Sequence, residues 1–198
     1  MDIKFKILEK ISWMTTVISF YPDMIQEIVK LDLLDFIILI SSKRFSNKIR
    51  ANAVLALSLL TYHDAIFNEL LDKKVIDLVI ELCKDHYDNI QVKQYSTLAL
   101  VHFALNKRSI QFLIEKGVME LFNSFGKFND KTIKTNVSWI FLALCNNGIT
   151  GKEMVESGIT KDMFLVSCDP KLDQVRHLVI AGFAELGRCL ELKAEKEE

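Results

Sequence analysis

The sequence predicts an all-α protein made of helical repeats that stack on one another. One block of residues recurs along the chain at offsets of 43, 41 and 42. Within each copy the apolar residues follow the period of an α-helix. Half of the 198 residues are hydrophobic, which is enough to build a sizeable core. A period between about 20 and 50 residues is the signature of a repeat array.

The recurring block is a long helix that opens with an aliphatic residue and a basic one. Its copies start at Ile49-Arg50, Val92-Lys93, Ile133-Lys134 and Val175-Arg176. Small or apolar residues then fall at i, i+3, i+4 and i+7, which places them on one buried face. The four sets are Ala53, Ala56, Leu57, Leu60; Ser96, Ala99, Leu100, Phe103; Val137, Ile140, Phe141, Leu144; and Val179, Gly182, Phe183, Leu186.

An Asn or Asp precedes each copy of the long helix. Such side chains accept hydrogen bonds from the unpaired N–H groups of the first helical turn. We therefore expect four N-caps, at Asn47, Asn89, Asp130 and Asp173.

Two shorter helices are predicted before each long one. The nearer carries an apolar set in each copy: Leu33, Phe36, Ile37, Ile40; Val75, Leu78, Val79, Leu82; Val118, Leu121, Phe122, Phe125; and, slipped by one residue, Thr160, Met163, Phe164. The farther begins near Ile25, Phe67, Ile110 and Gly151. Gly117 and Gly158 mark turns between the two, and Pro22 and Pro170 fall between helices. Three helices of one unit cannot cover all their apolar faces, so successive units must stack.

These patterns predict one repeat domain over residues 1–190. Its parts are a cap at 1–18, repeats at approximately 19–62, 63–105, 106–147 and 148–190, and a charged tail at 191–198. The cap segment Phe5 to Val17 resembles the long third helix but fits its template poorly. The tail has no apolar face, so we expect it to fray or to extend the last helix into solvent.

Composition argues against several partners and compartments. Lys and Arg number 25 against 26 for Asp and Glu, so no net charge attracts nucleic acid. The longest dense apolar run, Leu33 to Ile40, is too short for membrane insertion, which needs about 20 residues. Cys83, Cys145, Cys168 and Cys189 form no CxxC pair, which favours a reducing compartment. Without an evident secretory signal, we expect a cytoplasmic protein, with the nucleus as a second location.

No motif for catalysis or cofactor binding is present in the sequence. Nucleophile-elbow, phosphate-loop and dinucleotide-binding patterns are missing. The four histidines, His63, His86, His102 and His177, lack the spacing of metal ligands. We expect no enzyme, no cofactor and no metal. Arg50, Lys93, Lys134 and Arg176 admit a phosphate-tracking interpretation, but a solvated face balanced by acidic residues is favoured.

The order of short helix, turn, second helix and long third helix resembles the armadillo repeat family. The turns Lys116-Gly117-Val118 and Ser157-Gly158-Ile159 and the separate first helix favour armadillo over HEAT repeats, the nearest alternative. The resemblance covers nearly the whole chain and implies a right-handed α-solenoid, or superhelix, of about four repeats. It does not point to one member of the family.

The resemblance also implies where a partner would bind. In armadillo proteins the third helices line a concave groove, and importin-α-like members use a Trp and, four residues later, an Asn. The Trp-like positions here are Leu55, Leu98, Trp139 and Ala181, and the Asn-like positions are Leu59, His102, Ala143 and Glu185. Only Trp139 matches, so recognition of nuclear-localisation peptides through an Asn ladder is not expected. The candidate groove residues are Leu55, Leu59, Leu98, His102, Trp139 and Asn146.

Two interpretations of these residues stay open. The leucines either line an apolar groove for an amphipathic helix or extended peptide, or simply pack inside the array. The expected function is a non-enzymatic protein-interaction module or adaptor, with a structural subunit of a larger cytoskeletal, ciliary or trafficking assembly as the alternative. A repeat-type nucleic-acid glycosylase is disfavoured because it would need a basic concave stripe. We expect a monomer or weak self-association.

Overall fold

All regular structure in the described part of the chain is helical. The computed structural model describes residues 3–85, 89–125, 129–147 and 151–197, with side chains except those of 123–125, 151–153 and 189–197. Two compact units emerge, Met1–His102 and Phe103–Glu198. His86, Phe125 and Cys189 lie outside the described side chains. The domain and repeat boundaries expected from the sequence stay predictions.

The helices follow the predicted order of two short helices and one long helix. The first unit holds α1 Ile3–Ser19, then α2 Ile25–Lys30, α3 Leu33–Ile40 and α4 Asn47–Leu60, then α5 Phe67–Asp72, α6 Val75–Lys84 and most of α7 Ile90–Leu105. The second holds α8 Ile110–Glu115, α9 Val118–Phe125 and α10 Lys131–Cys145, then α11 Gly151–Glu156, α12 Ile159–Ser167 and α13 Asp173–Glu197. The three-helix unit therefore occurs four times.

The third helices carry the apolar faces that the sequence predicts. Ala53, Ala56, Leu57 and Leu60 of α4 are all buried, with at most 1% of each exposed. The corresponding residues of α7 and α10 are buried as well: Ser96, Ala99, Leu100 and Phe103, and Val137, Ile140, Phe141 and Leu144. These faces pack against the second helix of the same repeat, as α4 packs on α3. The predicted helical period is confirmed.

The predicted core face of the fourth second helix is only partly correct, since Met163 is buried as predicted and Phe164 is not. Helix α12 buries Ile159, Met163 and Val166, whereas the predicted core residue Phe164 is 60% exposed. Gly158 reverses the chain immediately before Ile159, so the inward row starts at Ile159 and continues at i+4 and i+7. The one-residue shift inferred from the sequence therefore placed Phe164 in the core wrongly.

A left-handed residue joins the first and second helices in all four repeats. Gly117 and Gly158 have φ of 79° and 77°, as expected for glycine at such a turn. Asp32 and Lys74 occupy the same place in the first two repeats with φ of 50° and 56°. A left-handed conformation is unfavourable for a residue with a Cβ atom. At Lys74 the turn is therefore held by the packing of the flanking helices, whereas Asp32 adopts this conformation more readily than most residues with a Cβ atom.

The expected N-caps are partly correct. Asp130 caps α10 by accepting a hydrogen bond from Ile133 N at 2.9 Å, and Asn89 accepts one from Gln91 N at 2.9 Å. The cap of α4 is Ser46, one residue before the predicted Asn47. Asp173 is the first residue of α13 and follows a 3₁₀ turn that opens at Pro170, so it is not the cap. The prediction missed both by overlooking the turn that precedes the helix.

The contact between α10 and α13 leaves no room for a side chain at Gly182. A Cβ atom there would lie 2.6 Å from Cε1 of Phe141, whose ring is buried and also contacts Phe183 at a centroid distance of 5.4 Å. Gly187 lies on the same helix, and a Cβ atom there would meet nothing within 4 Å. Alanine at either position gains helix propensity, but only alanine at Gly182 meets a packed neighbour. Comparing the two substitutions therefore distinguishes the effect of packing from that of helix propensity.

We predict that Gly182→Ala lowers the free energy of unfolding by about 1–3 kcal/mol because the added methyl group displaces the Phe141 ring. Gly187→Ala is the matched control and should raise the free energy of unfolding by about 0.5–1 kcal/mol through helix propensity. Urea denaturation followed by circular dichroism measures both. Equal effects of the two substitutions would contradict the packing of α13 on α10.

Candidate functional site

The third helices of the first unit present a partly exposed strip beside their buried face. Leu55 and Leu59 of α4 are half-buried, and Tyr62, just beyond that helix, is 73% exposed. Leu98 and His102 of α7 are half-buried as well. Each of these half-buried side chains is therefore partly packed against its neighbours and partly accessible to solvent.

His102 is held in place by residues at the end of α4. Its Nδ1 lies 2.8 Å from the carbonyl oxygen of Ser58 and 3.1 Å from Oγ1 of Thr61. Nδ1 must carry a proton to donate to that carbonyl. Burial lowers the pKa of His102, and this outweighs the carbonyl contact, which raises it. The Tyr62 ring packs on His102 edge to face at 5.5 Å.

Trp139 is the exposed aromatic residue of α10 in the second unit. It is 40% exposed although its neighbours Ser138 and Ile140 are completely buried, so it lies on the outer side of the helix. Asn146 follows just after α10 and is exposed. Ala143, at the Asn-like position, is only 4% exposed. The second unit therefore exposes the indole of Trp139 and, about two helical turns later, the side-chain amide of Asn146.

The candidate residues thus fall into two sets. Leu55, Leu59, Leu98 and His102 belong to the first unit, and Trp139 and Asn146 belong to the second. Within the first set, His102 is tied to α4 by the Ser58 carbonyl. That the six residues line one groove stays a prediction.

The basic residues at the start of the third helices do not form a solvated face. Arg50 is only 4% exposed, and its Nε donates a hydrogen bond to the Ser41 carbonyl at 3.2 Å. Arg176 makes the same contact with the Ser167 carbonyl at 3.0 Å. Both carbonyls lie at the C-terminal end of a second helix, where a cation is favourable. Each arginine therefore links the second and third helices of its repeat through a hydrogen bond.

The two lysines of this series differ from each other. Lys93 is 2% exposed, and Lys134 is held 3.3 Å from Asp169. Hydrogen bonding to Lys171 N, and then the nearby Lys134 ammonium, lower the pKa of the Asp169 carboxyl. The expected solvated face is wrong for Arg50 and Lys93, which are buried. The expected balance by acidic residues is present at Lys134, which pairs with Asp169, and at Arg176, whose Nη1 lies 3.0 Å from Oδ1 of Asp173. Each arginine follows the serine whose carbonyl it contacts by nine residues. This repeated spacing was the signal in the sequence that could have predicted the contact.

A cavity adjoins each of the two arginines, and the sequence did not predict either one. The first, of about 540 Å³, lies beside Ser41, Arg50, Leu78 and Leu82. The second, of about 530 Å³, is bordered by Phe164, Ser167, Cys168, Arg176, Ile180 and Phe183.

The two cavities differ in how their apolar walls are covered. Val54 is completely buried in a cluster with Leu82 and Val92, whereas Ile180, its counterpart three repeats later, is 54% exposed. The second cavity therefore adjoins an uncovered apolar surface.

Metal and thiol chemistry find little support in the described residues. No three His, Cys, Asp or Glu side chains described by the structure are grouped as metal ligands. Burial raises the pKa of the Cys83 thiol to about 12, so it stays protonated, and Cys145 is buried as well. Cys168 is exposed. Among the described residues, no helix is both long and apolar enough to cross a membrane.

Comparison with known proteins identifies the fold. No family model matches the sequence, and no curated protein matches it either. A computationally designed armadillo repeat protein for modular peptide recognition aligns over 93% of this chain and 77% of its own, with a TM-score of 0.83 and 15% identity. A designed armadillo repeat protein in complex with the peptide (KR)4 gives the same values.

A third solved structure, an engineered protein, aligns over 98% of this chain and 88% of its own, with a TM-score of 0.78 and 15% identity. The chain therefore has the armadillo-type repeat fold that the sequence predicts. Similarity at this level of identity concerns the fold alone and assigns no particular family member.

We predict that acidification destabilises the protein through His102. Its folded-state pKa lies below the unfolded value, so the unfolded chain binds a proton first as the pH falls through the unfolded pKa. The contribution of His102 to stability is thus present above that pH and decreases below it. His102→Asn keeps a donor but does not titrate. Urea denaturation between pH 7.5 and pH 5 should show the larger loss in wild type, and parallel losses would contradict this environment for His102.

Proposed function

We propose that this protein is a non-enzymatic scaffold or adaptor that holds a peptide or helix of another protein against its third helices. The observation that carries the proposal is the outward position of Trp139, which is 40% exposed on a helix whose neighbouring residues are buried. Tryptophan is enriched among the residues that contribute most to protein–protein binding. The support from the comparisons is that designed proteins of the same fold recognise peptides.

The partner that fits these residues is an amphipathic helix or an extended peptide with an apolar anchor. One designed neighbour is in complex with the basic peptide (KR)4. Here the Asn-like positions hold Leu59, His102, Ala143 and Glu185. Ala143 is buried and has no side-chain donor or acceptor. Contacts to Leu55 and Leu98 in the first unit, or to Trp139 in the second, would instead be apolar. Tyr62 in the first unit and Asn146 in the second would supply hydrogen bonds at the margin.

The proposal includes no catalysis, no cofactor, no nucleic acid and no membrane insertion. Its support is the near-neutral charge of the sequence and the absence of catalytic motifs. A cytoplasmic location, with the nucleus as a second one, fits the cysteine usage.

A structural role in a larger assembly is the second candidate. The observation that favours it is the apolar surface beside the second cavity, where Phe164 and Ile180 are 60% and 54% exposed. Exposed apolar patches of this kind often mark interaction surfaces.

Trp139→Ala tests the scaffold proposal. Peptides are first selected from a displayed library of random sequences, and their affinities are then measured by fluorescence anisotropy. We expect Trp139→Ala to weaken binding by about 2 kcal/mol, or roughly 30-fold, because the indole ring acts as the anchor. The loss of thermal stability in the same variant should be smaller than for truncation of a fully buried aromatic residue such as Phe141, since 40% of the Trp139 side chain is exposed.

The matched control is Phe112→Ala, because Phe112 is 43% exposed and lies on α8. Its effect on affinity should stay below about threefold. Equal losses in the two variants, or a Trp139→Ala protein that unfolds without a selective loss of binding, would contradict the proposed role of Trp139.

A further inference from the structure

Helix α1 packs on α4 through small polar side chains. The buried residues of α1 are Ser12, Thr15, Thr16 and Ser19. Thr16 Oγ1 donates to the Asn52 carbonyl at 2.8 Å, and Asn52 Nδ2 donates to Ser12 Oγ at 3.0 Å. Small side chains let the two helices approach closely, and longer side chains of both helices lie at the rim of the contact.

A pocket of about 190 Å³ opens at this rim. It is lined by Glu9, Lys10 and Trp13 of α1 and by Lys48 and Asn52 of α4. On each helix these residues share one face, because side chains three or four positions apart are neighbours. Pockets for drug-sized molecules start at about 300 Å³, so this smaller pocket suits a single side chain of a ligand.

The charges around the pocket do not balance. The Lys48 ammonium pairs with the Glu9 carboxylate. The Lys10 ammonium is exposed and forms no ion pair with any residue that the structure describes. Lys6 lies one turn earlier on the same face of α1 and is exposed as well. The pocket is therefore locally positive, although the whole chain has a formal net charge of −1.

Trp13 adds an apolar wall beside this positive charge. It is 59% exposed, and an indole has both a large ring face and an N–H donor. Such a side chain can contact the methylene groups of a ligand while a neighbouring cation attracts its charged end. The pocket thus combines the features that bind a short acidic side chain.

The pocket is continuous with the candidate groove residues of α4. Lys48, Asn52, Leu55 and Leu59 follow one another at spacings of four, three and four residues, which places them on one stripe of the helix. Leu55 and Leu59 are half-buried and partly accessible to solvent. A ligand that lies along this stripe meets the positive pocket first and the two leucines next.

We propose that this pocket binds an acidic side chain, Asp or Glu, of a partner peptide whose apolar residues contact Leu55 and Leu59. The inference rests on the proposed function, because it names the chemistry of the peptide that the scaffold holds. The carboxylate of the peptide pairs with the Lys10 ammonium, and its methylene groups lie against Trp13. A basic side chain is disfavoured, since Lys10 repels it and Lys48 already neutralises Glu9.

Charge substitutions at Lys10 test the pocket. Peptides selected on the full chain from a displayed library of random sequences should contain Asp or Glu, and fluorescence anisotropy measures their affinities. We expect Lys10→Gln to weaken binding about threefold and Lys10→Glu about tenfold, as for the loss and the reversal of an exposed charge pair. Lys161→Glu is the control, because it changes the net charge equally on α12 of the second unit. It should change affinity less than about twofold, since distant exposed charges are screened. Circular dichroism verifies that each variant folds.

A double-mutant cycle assigns the acidic side chain to Lys10. Replacing the acidic residue of the peptide by its amide should weaken binding to wild type about threefold and leave binding to Lys10→Gln unchanged. Equal losses with both proteins, or selected peptides without an acidic residue, would overturn this inference; the proposed function would stand if Trp139→Ala still weakened binding. Basic peptides that lose affinity on Trp13→Ala would assign the pocket to a cationic side chain and also overturn it. Failure to select any binding peptide would overturn both proposals.

Discussion

The structure depends on the burial of the apolar face of each third helix. That face is too wide for one neighbour, so the second helix of the same repeat and the helices of adjoining repeats both cover it, as α3 and α1 do for α4. Removing one large aliphatic side chain from such a face costs about 2–5 kcal/mol, a sizeable part of the 5–15 kcal/mol by which a typical domain is stable. Arg50 and Arg176 each add a hydrogen bond between the second and third helices of their own repeat. The left-handed turns at Asp32 and Lys74 are tolerated because this packing fixes the helices on either side.

The burial of one face of each third helix also determines which of its residues remain accessible to other molecules. A residue such as Trp139 reaches solvent because the buried face of α10 occupies the opposite side of the helix. The sequence reasoning missed the apolar surface at Ile180. In the first repeat the residue equivalent to Ile180 is buried by the following helices.

Periodicity alone was sufficient to predict the all-α fold, the three-helix unit and most of the core, including the buried faces of α4, α7 and α10. It was insufficient where tertiary contacts outweigh the local pattern. The basic residues were expected in solvent because of their charge, yet Arg50 is buried against a carbonyl nine residues earlier. Helix α1 buries residues whose hydroxyl groups bond to its own carbonyls, as Ser19 does to Thr15, and leaves Ile7, Ile11 and Met14 exposed. Such reversals depend on which helix lies opposite, and a repeat template does not contain that information.

Hydrogen exchange of the native protein, resolved to individual peptides, measures the burial of the third helices most directly. The slowest-exchanging amides should lie in the interiors of α4, α7, α10 and the first half of α13, and should recur with the repeat period. The short first helices α2, α5, α8 and α11 should exchange faster. Uniform protection along the chain, or maximal protection in the short helices, would contradict the account.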